Sequence, residues 1–168
     1  SVGMPDSNSR IMSVLIVGCG DIAGGYDEAA DNDRVIRTHA GAYRCDVRFR
    51  LAACVEPNSE RRAEFMARWN VPIGFDCLKS CRAAGAAYDV ASVCVPTHLH
   101  GDVLEMLLTM SVHAVLAEKP LTGEVARSRA IVSAYEEAGR PLIVNFQRRF
   151  DAQITSIRNE IAAGDWGT

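Results

Sequence analysis

Met12-Ser13-Val14-Leu15-Ile16-Val17 is a short run of apolar, mostly branched residues that stops at Gly18. Similar runs return at Phe49–Val55 and at residues 71–75, 89–95, 112–117 and 141–146. Near-continuous apolar character, rather than alternation, marks strands buried on both faces. Helical patterns fill the spaces between them. Asn58 can cap a helix running to about Trp69, with Glu60 and Glu64 near its start and Ala63, Phe65, Met66 and Trp69 as its apolar set. Residues 76–84 read as a helix, and residues 99–110 as another, with Val103, Met106, Leu107 and Met110 apolar. Helices at 123–138 and 150–163 each stop at a glycine, Gly139 and Gly164. Strand and helix in alternation predict an α/β chain: a doubly wound parallel sheet of the Rossmann type, six strands, covered on both faces.

Composition narrows the partners. The chain has 168 residues, which suits one domain, and 48% apolar residues, enough for a core. Net charge is −3, so no basic surface invites nucleic acid or an anionic membrane. No apolar run approaches the ~20 residues of a membrane span. Residues 1–11 lack a signal peptide's apolar centre and read as a disordered lead-in. Six cysteines without a CxxC pair read as reduced thiols in the cytoplasm. Cys19, Cys54 and Cys94 behave as small hydrophobes in or beside strands. Cys77 and Cys81, four apart on a predicted helix, have the spacing to share a face.

Gly18-Cys19-Gly20-Asp21-Ile22-Ala23 follows the first strand. Gly18 permits a tight turn, Gly20 lets the backbone approach a pyrophosphate, and Ala23 is small enough for helix–strand packing. A helix starting here would offer free N–H groups to phosphate. The loop, including Asp21 and Ile22, is therefore the candidate dinucleotide cradle. Glu56 ends the second strand, where a carboxylate can accept from a ribose diol and repel a 2′-phosphate. That favours NAD, with NADP possible; a solvated strand-end acid is the alternative. The long spacing from Gly20 to Glu56 is explained by residues 24–38, a polar segment read as a surface insertion.

Glu118-Lys119-Pro120 follows the fifth strand. A lysine at the carboxyl end of a buried strand lies where open α/β sheets bind ligands. Its ammonium can hold a substrate oxygen or exchange a proton with it. Two further segments end strands: Val95-Pro96-Thr97-His98-Leu99-His100 and Val144-Asn145-Phe146-Gln147-Arg148-Arg149-Phe150. Cys94, His98 and His100 mimic a zinc cluster, but no acid or second cysteine pair accompanies them, and no metal is expected.

These motifs, in this order, resemble the glucose–fructose oxidoreductase / inositol dehydrogenase family (Gfo/Idh/MocA) over nearly the whole chain from Met12 on. The resemblance implies an NAD(P)-dependent oxidoreductase acting on a secondary alcohol or ketone of a sugar, sugar nucleotide or cyclic polyol. By it, Lys119 is the catalytic lysine and a substrate contact. Pro96, Thr97, His100 and Glu118 belong to the cofactor's surroundings, and Asn145 and Arg149 to the substrate pocket. It also implies a cis bond at Lys119–Pro120. His39 matches a histidine that the family carries after its glycine loop, displaced here by the insertion; a helix-start packing residue is the other reading. Arg148 and Arg149 point differently, so one of them is expected to reach the pocket and surface charge is the alternative.

The family normally continues into a second α+β domain. Residues 12–150 are therefore expected to be the cofactor domain, and 151–168 a helix and the start of a C-terminal domain that is absent. With that half missing, the chain is expected to turn over slowly or not at all alone, and an exposed apolar sheet face makes a homo-oligomer possible. Two readings compete with the oxidoreductase: a non-catalytic nucleotide-binding or sensor module, and an α/β enzyme using the loop for another nucleotide.

Overall fold

The computed structural model describes residues 10–27 and 36–167. Most of the lead-in, the middle of the 24–38 segment and Thr168 lie outside the described residues. Strands β1 (Met12–Val17), β2 (Phe49–Val55), β3 (Ile73–Phe75), β4 (Tyr88–Val93), β5 (Val112–Glu118) and β6 (Leu142–Asn145) form one sheet in the order β3-β2-β1-β4-β5-β6. Every pairing is parallel, as the unbroken apolar runs predict. The helices are α1 (His39–Cys45), α2 (Ser59–Trp69), α3 (Leu78–Ala83), α4 (Thr97–Leu108), α5 (Val125–Glu137) and α6 (Ala152–Ala163).

Strand parity sorts the core into two layers. Leu15, Val17, Ala91, Val93, Val115 and Ala117 face α3, α4 and α5, meeting Cys81, Leu104, Leu107 and Ile131. Val14, Ile16 and Cys54 face α1 and α2, meeting Ala40, Phe65 and Trp69. Among the described residues, the Trp69 indole N–H is the buried side-chain polar atom left without a partner, while others are bonded. Tyr135 donates its hydroxyl to Leu104 O at 2.8 Å. Arg140 donates to the carbonyls of Leu107 and Met110, closing the carboxyl end of α4 with a cation.

Local chemistry sets the element ends. Asn58 caps α2 by accepting from Arg61 N, as expected. β3 is shorter than the apolar run at 71–75. Asn70 turns into the left-handed region, Val71 N bonds back to Met66 O, and Pro72 has no N–H to give the ladder. α4 starts two residues before the expected Leu99, directly on Pro96, whose fixed φ suits a helix entry. Residues 147–150 form a 3-10 turn, and α6 begins only after Asp151, which accepts from Gln153 N. Cys77 sits at the α3 cap rather than within the helix, while Cys81 is buried. All six cysteines are free thiols. No helix among the described residues is long and apolar enough to cross a membrane.

Gly24 permits the closest packing on the α2 side. A Cβ there would collide with the Trp69 indole and lie 2.8 Å from the Phe65 ring. Gly24→Ala is expected to lose about 1–3 kcal/mol by overpacking. Gly20→Ala adds a Cβ that meets nothing within 4 Å, so its change should stay under ~0.5 kcal/mol. Urea unfolding of the two variants checks the contrast.

Candidate active site

β1 is hydrogen-bonded to both β2 and β4, so the chain leaves it in opposite directions and a crevice opens at the carboxyl ends between them. Gly18 makes the turn with φ +88°. A Cβ at this position would lie 2.9 Å from both the carbonyl carbon and oxygen of Cys94. Only glycine combines that dihedral with that approach. Gly20, by contrast, faces open space. The N–H groups of Gly20, Asp21 and Ile22 have no acceptor among the described residues. A loop with unpaired donors around an open face is suited to phosphate oxygens.

The helix expected directly after this loop is interrupted. Residues 21–24 form one turn, with Ala23 N and Gly24 N bonded to Gly20 O. The segment at 24–38 then departs and returns. On its return His39 N bonds to Ile22 O at 3.1 Å and Ala40 N to Ala23 O at 2.9 Å. α1 thus continues the hydrogen bonding of the first turn across the insertion. The neck is closed by Asp27, which accepts from Arg37 N and from the Thr38 hydroxyl. Thr38 also caps α1 by accepting from Gly41 N.

Glu56 is 6% exposed at the end of β2. One carboxylate oxygen accepts from Cys19 N at 3.1 Å, the other from Asn58 N at 3.0 Å. Arg61 lies 3.6 Å from it, and Arg62 donates to its backbone carbonyl. The acid that sequence reading assigned to ribose therefore also ties the glycine loop to the start of α2. Each oxygen keeps a second lone pair for a ligand.

A cleft of about 720 Å³ runs along this edge. Of the expected cofactor residues, Gly18, Gly20, Asp21, Ile22, Glu56 and Pro96 line it. Ala23 is fully buried behind the loop, and Thr97 is the first residue of α4, exposed but outside the lining. His100 is also outside it, 1% exposed with both ring nitrogens on backbone carbonyls, so its expected cofactor contact is replaced by an internal one. Leu78, Leu99 and Val103 add an apolar wall that motif reading missed. They sit on α3 and α4 facing the cleft, and only their helical spacing hinted at it. The Cys94 thiol is pushed up by burial and then by the Glu118 charge, so it stays protonated and serves as wall rather than nucleophile.

Glu118 and Lys119 diverge at the end of β5. Lys119 is exposed, and its bond to Pro120 is cis, as expected. Glu118 accepts from Asn145 Nδ2 at 2.6 Å and pairs with His39 Nε2 at 2.9 Å through the same oxygen. Glu118 and Asn145 are register partners on adjacent strands. His39 is therefore both the helix-start residue and part of the site. A second cleft of about 580 Å³ lies against His39 and Asn145, and Tyr26 and Ile22 line both clefts. Asn145 is committed to Glu118, while Arg149 is exposed on the 3-10 turn with no bond to the site. Its neighbour Arg148 is exposed as well, and so is His98 on α4.

Burial acts to raise the Glu118 pKa, but hydrogen bonds from His39 and Asn145, the His39 charge and the Lys119 N–H together hold it below its ordinary 4.5.

The fold and the cleft define a dinucleotide-binding domain of the doubly wound class. A family model described as an oxidoreductase family with an NAD-binding Rossmann fold matches residues 12–146, and the chain belongs to that Gfo/Idh/MocA family. It is 32% identical over 162 residues to an inositol 2-dehydrogenase of Corynebacterium glutamicum strain R, covering 95% of this chain and 43% of the relative. It is 29% identical to the myo-inositol dehydrogenase Hyg17 of Streptomyces leeuwenhoekii, covering 93% of this chain and 43% of that protein. The chain thus spans less than half the length of these relatives. An oxidoreductase of Agrobacterium radiobacter solved with NAD+, L-tartaric acid and magnesium superposes with a TM-score of 0.78 at 18% identity, over 95% of this chain and 42% of that one. The WlbA dehydrogenase of Bordetella pertussis, solved with NADH and UDP-GlcNAcA, gives 0.75 at 24% identity, over 92% and 43%.

A carboxyl whose folded pKa is depressed stabilises the fold above its unfolded value and loses that contribution as pH falls through the folded value. Glu118 should therefore add an acid-side loss of stability that begins near pH 4.5 and continues below it. Glu118→Gln should flatten that part of the curve and lower stability at pH 7. Chemical denaturation as a function of pH is the measurement.

Proposed function

We propose that this chain is the cofactor-binding part of an enzyme that moves hydride between a nicotinamide dinucleotide and a secondary alcohol of a sugar, sugar nucleotide or cyclic polyol. The observation that carries the reading is a cleft lined by Gly18, Gly20, Asp21, Ile22, Glu56 and Pro96 at the carboxyl end of the sheet, the same sheet end at which Lys119 stands exposed directly after β5. The residues present fit a dinucleotide. Gly20 leaves the space that a pyrophosphate needs, the neighbouring N–H groups are unpaired, and Glu56 offers lone pairs at the ribose position. The names of the curated relatives, inositol 2-dehydrogenases among them, support a cyclic polyol as the substrate.

When bound, a nicotinamide dinucleotide supplies the hydride acceptor. The chain's own residues do the rest. The Gly18–Ala23 loop holds phosphate, and Glu56 holds ribose and disfavours a 2′-phosphate. Pro96 and Val95 wall the cleft beyond Cys94. Lys119 holds the carbinol oxygen and exchanges its proton. Asn145 and Glu118 keep the ends of β5 and β6 together beside it. Arg149 reaches the substrate only with a different setting of the 147–150 turn. Residues 12–150 form the cofactor domain in this reading, and 151–168 lead into the substrate half. Six free thiols support a reducing, cytoplasmic setting.

Titration should find NAD bound at least ~10-fold more tightly than NADP, the order of one unfavourable charge contact. Glu56→Gln should narrow that preference, because Arg61 would then face a 2′-phosphate without a competing carboxylate. Equal affinities in the parent chain would remove Glu56 as the selector.

The chain alone should bind NAD yet give little reduction of it with myo-inositol, since Lys119 stands exposed and the substrate is not enclosed. Lys119→Met should leave NAD affinity within a few-fold, while lowering kcat in the complete enzyme by ~10²–10⁴. Rapid turnover by the purified 168-residue chain, or a Lys119→Met enzyme of normal rate, would overturn the assignment.

A further inference from the structure

β1 reaches both ends of the sheet. Gly18 leaves it at the cofactor cleft, and Ser13 sits near its other end. There a row of polar side chains crosses four strands. Ser13 is the register partner of Arg50 on β2. Val14 pairs with Val90 and Val90 with Ala114, which sets Ser13 beside Asp89 of β4 and Asp89 beside His113 of β5. By strand alternation these residues share a face with Leu15, Ala91 and Val115, one row nearer the amino edge than that apolar layer.

A bowl of about 650 Å³ opens over the row, and Arg10 and Arg140 line it as well. Three arginines thus surround a single acid, in a chain whose net charge is −3. That acid is already engaged. Asp89 accepts from Arg10 through one oxygen and from the Ser13 N–H and hydroxyl through the other. Arg140 donates to the carbonyls of Leu107 and Met110, which offsets the negative carboxyl end of α4 and leaves the guanidinium N–H groups to spare. Arg50 is exposed and has no hydrogen bond or ion pair among the described residues, and the same holds for His113. Two cations of the bowl therefore have no acid partner within it.

We propose that this bowl binds a phosphorylated polar small molecule, its phosphate held by Arg50, its hydroxyl groups along Asp89 and His113, and its far end closed by Arg140. Arg50 and Arg140 stand at opposite ends of the row, because β2 and β6 are four strands apart in the sheet order, a span of about 19 Å. One bare phosphate cannot bridge that span, whereas an ester with a polar body lies along it. The volume is in the range of small-molecule sites. The bowl lies at the amino ends of the strands and the cofactor cleft at their carboxyl ends, so this site does not depend on the function proposed above.

Amide spectra of the 15N-labelled chain, titrated with glucose 6-phosphate, inorganic phosphate and glucose, test the site. Saturable shifts are expected at Ser13, Arg50, Asp89 and His113, with the ester bound more tightly than inorganic phosphate and glucose leaving the spectrum unchanged. Shifts that never saturate, or that are confined to Gly18–Ala23, would overturn the proposal, since the phosphate would then have no site or be reading the nucleotide loop. Inorganic phosphate bound as tightly as the ester would remove the row's part in holding the rest of the molecule. Glucose bound as tightly as the ester would remove the arginines' part. Arg50→Gln should weaken the ester about 10-fold, the worth of one charge-assisted bond, with the urea midpoint and NAD affinity unchanged. An unaltered ester affinity in that variant would sink the assignment of the phosphate to Arg50. Failure of the parent chain to bind NAD would count against the proposed function and leave these shifts to decide the bowl.

Discussion

The end of β1 rests directly on the end of β4. Gly18 lies so close to the Cys94 carbonyl that any side chain would have to displace backbone. Much of the site follows from that contact. It brings the glycine loop over the point where strand order reverses, and it aims Gly20 into the crevice rather than into the sheet. It also turns Cys94 and Val95 into one wall of the cleft, with Glu56 on the opposite side. A larger residue at position 18 would lift the loop off β4 and open the crevice along its length.

Two carboxylates then hold the edge together, Glu56 buried and Glu118 half-buried, and both do it by accepting from two donors. Glu56 joins the loop to α2 through Cys19 N and Asn58 N. Glu118 joins α1 to β6 through His39 and Asn145. Burying an acid is costly unless its oxygens are bonded, and here the hydrogen bonds at Glu118 outweigh the burial. The Glu-Lys-Pro motif thereby divides its work. Glu118 bonds to neighbouring elements through His39 and Asn145, while Lys119 is exposed. The family resemblance places Glu118 in the cofactor's surroundings, and in the structure one of its oxygens is taken by His39 and Asn145.

What was legible in the sequence is what short-range physics decides. β1 and β2 fall on their apolar runs, the α2 cap falls on Asn58, and the glycine loop, Glu56 and Pro96 line one cleft. β3 was overestimated because apolarity alone does not register that Pro72 has no N–H. The His39–Glu118 pair joins residues 79 apart, and His100 meets the carbonyl of Pro120, 20 residues away beyond β5. No local pattern encodes such contacts. His100 in particular carried the motif signal of a ligand residue while its ring faces the protein interior. Val103 reads from sequence only as an apolar helix position, and Leu78 carries no signal of its own, because one helical face serves both the core and the cleft rim.

The interrupted first helix explains how the 24–38 segment coexists with an intact nucleotide loop. Two helical hydrogen bonds that would close on residues 26 and 27 are made instead by His39 and Ala40. The number of bonds is conserved, so the main cost is loop closure, which grows only by ~0.6 kcal/mol per doubling of length. Asp27 reduces even that by bonding both strands of the neck, through Arg37 N and Thr38. The segment's two ends change the site's surroundings: Tyr26 enters both clefts, and Ile36 and Arg37 wall the one beside His39. The segment therefore leaves the Gly18–Ala23 turn and its hydrogen bonds in place and adds walls to the cleft beside His39 and Asn145.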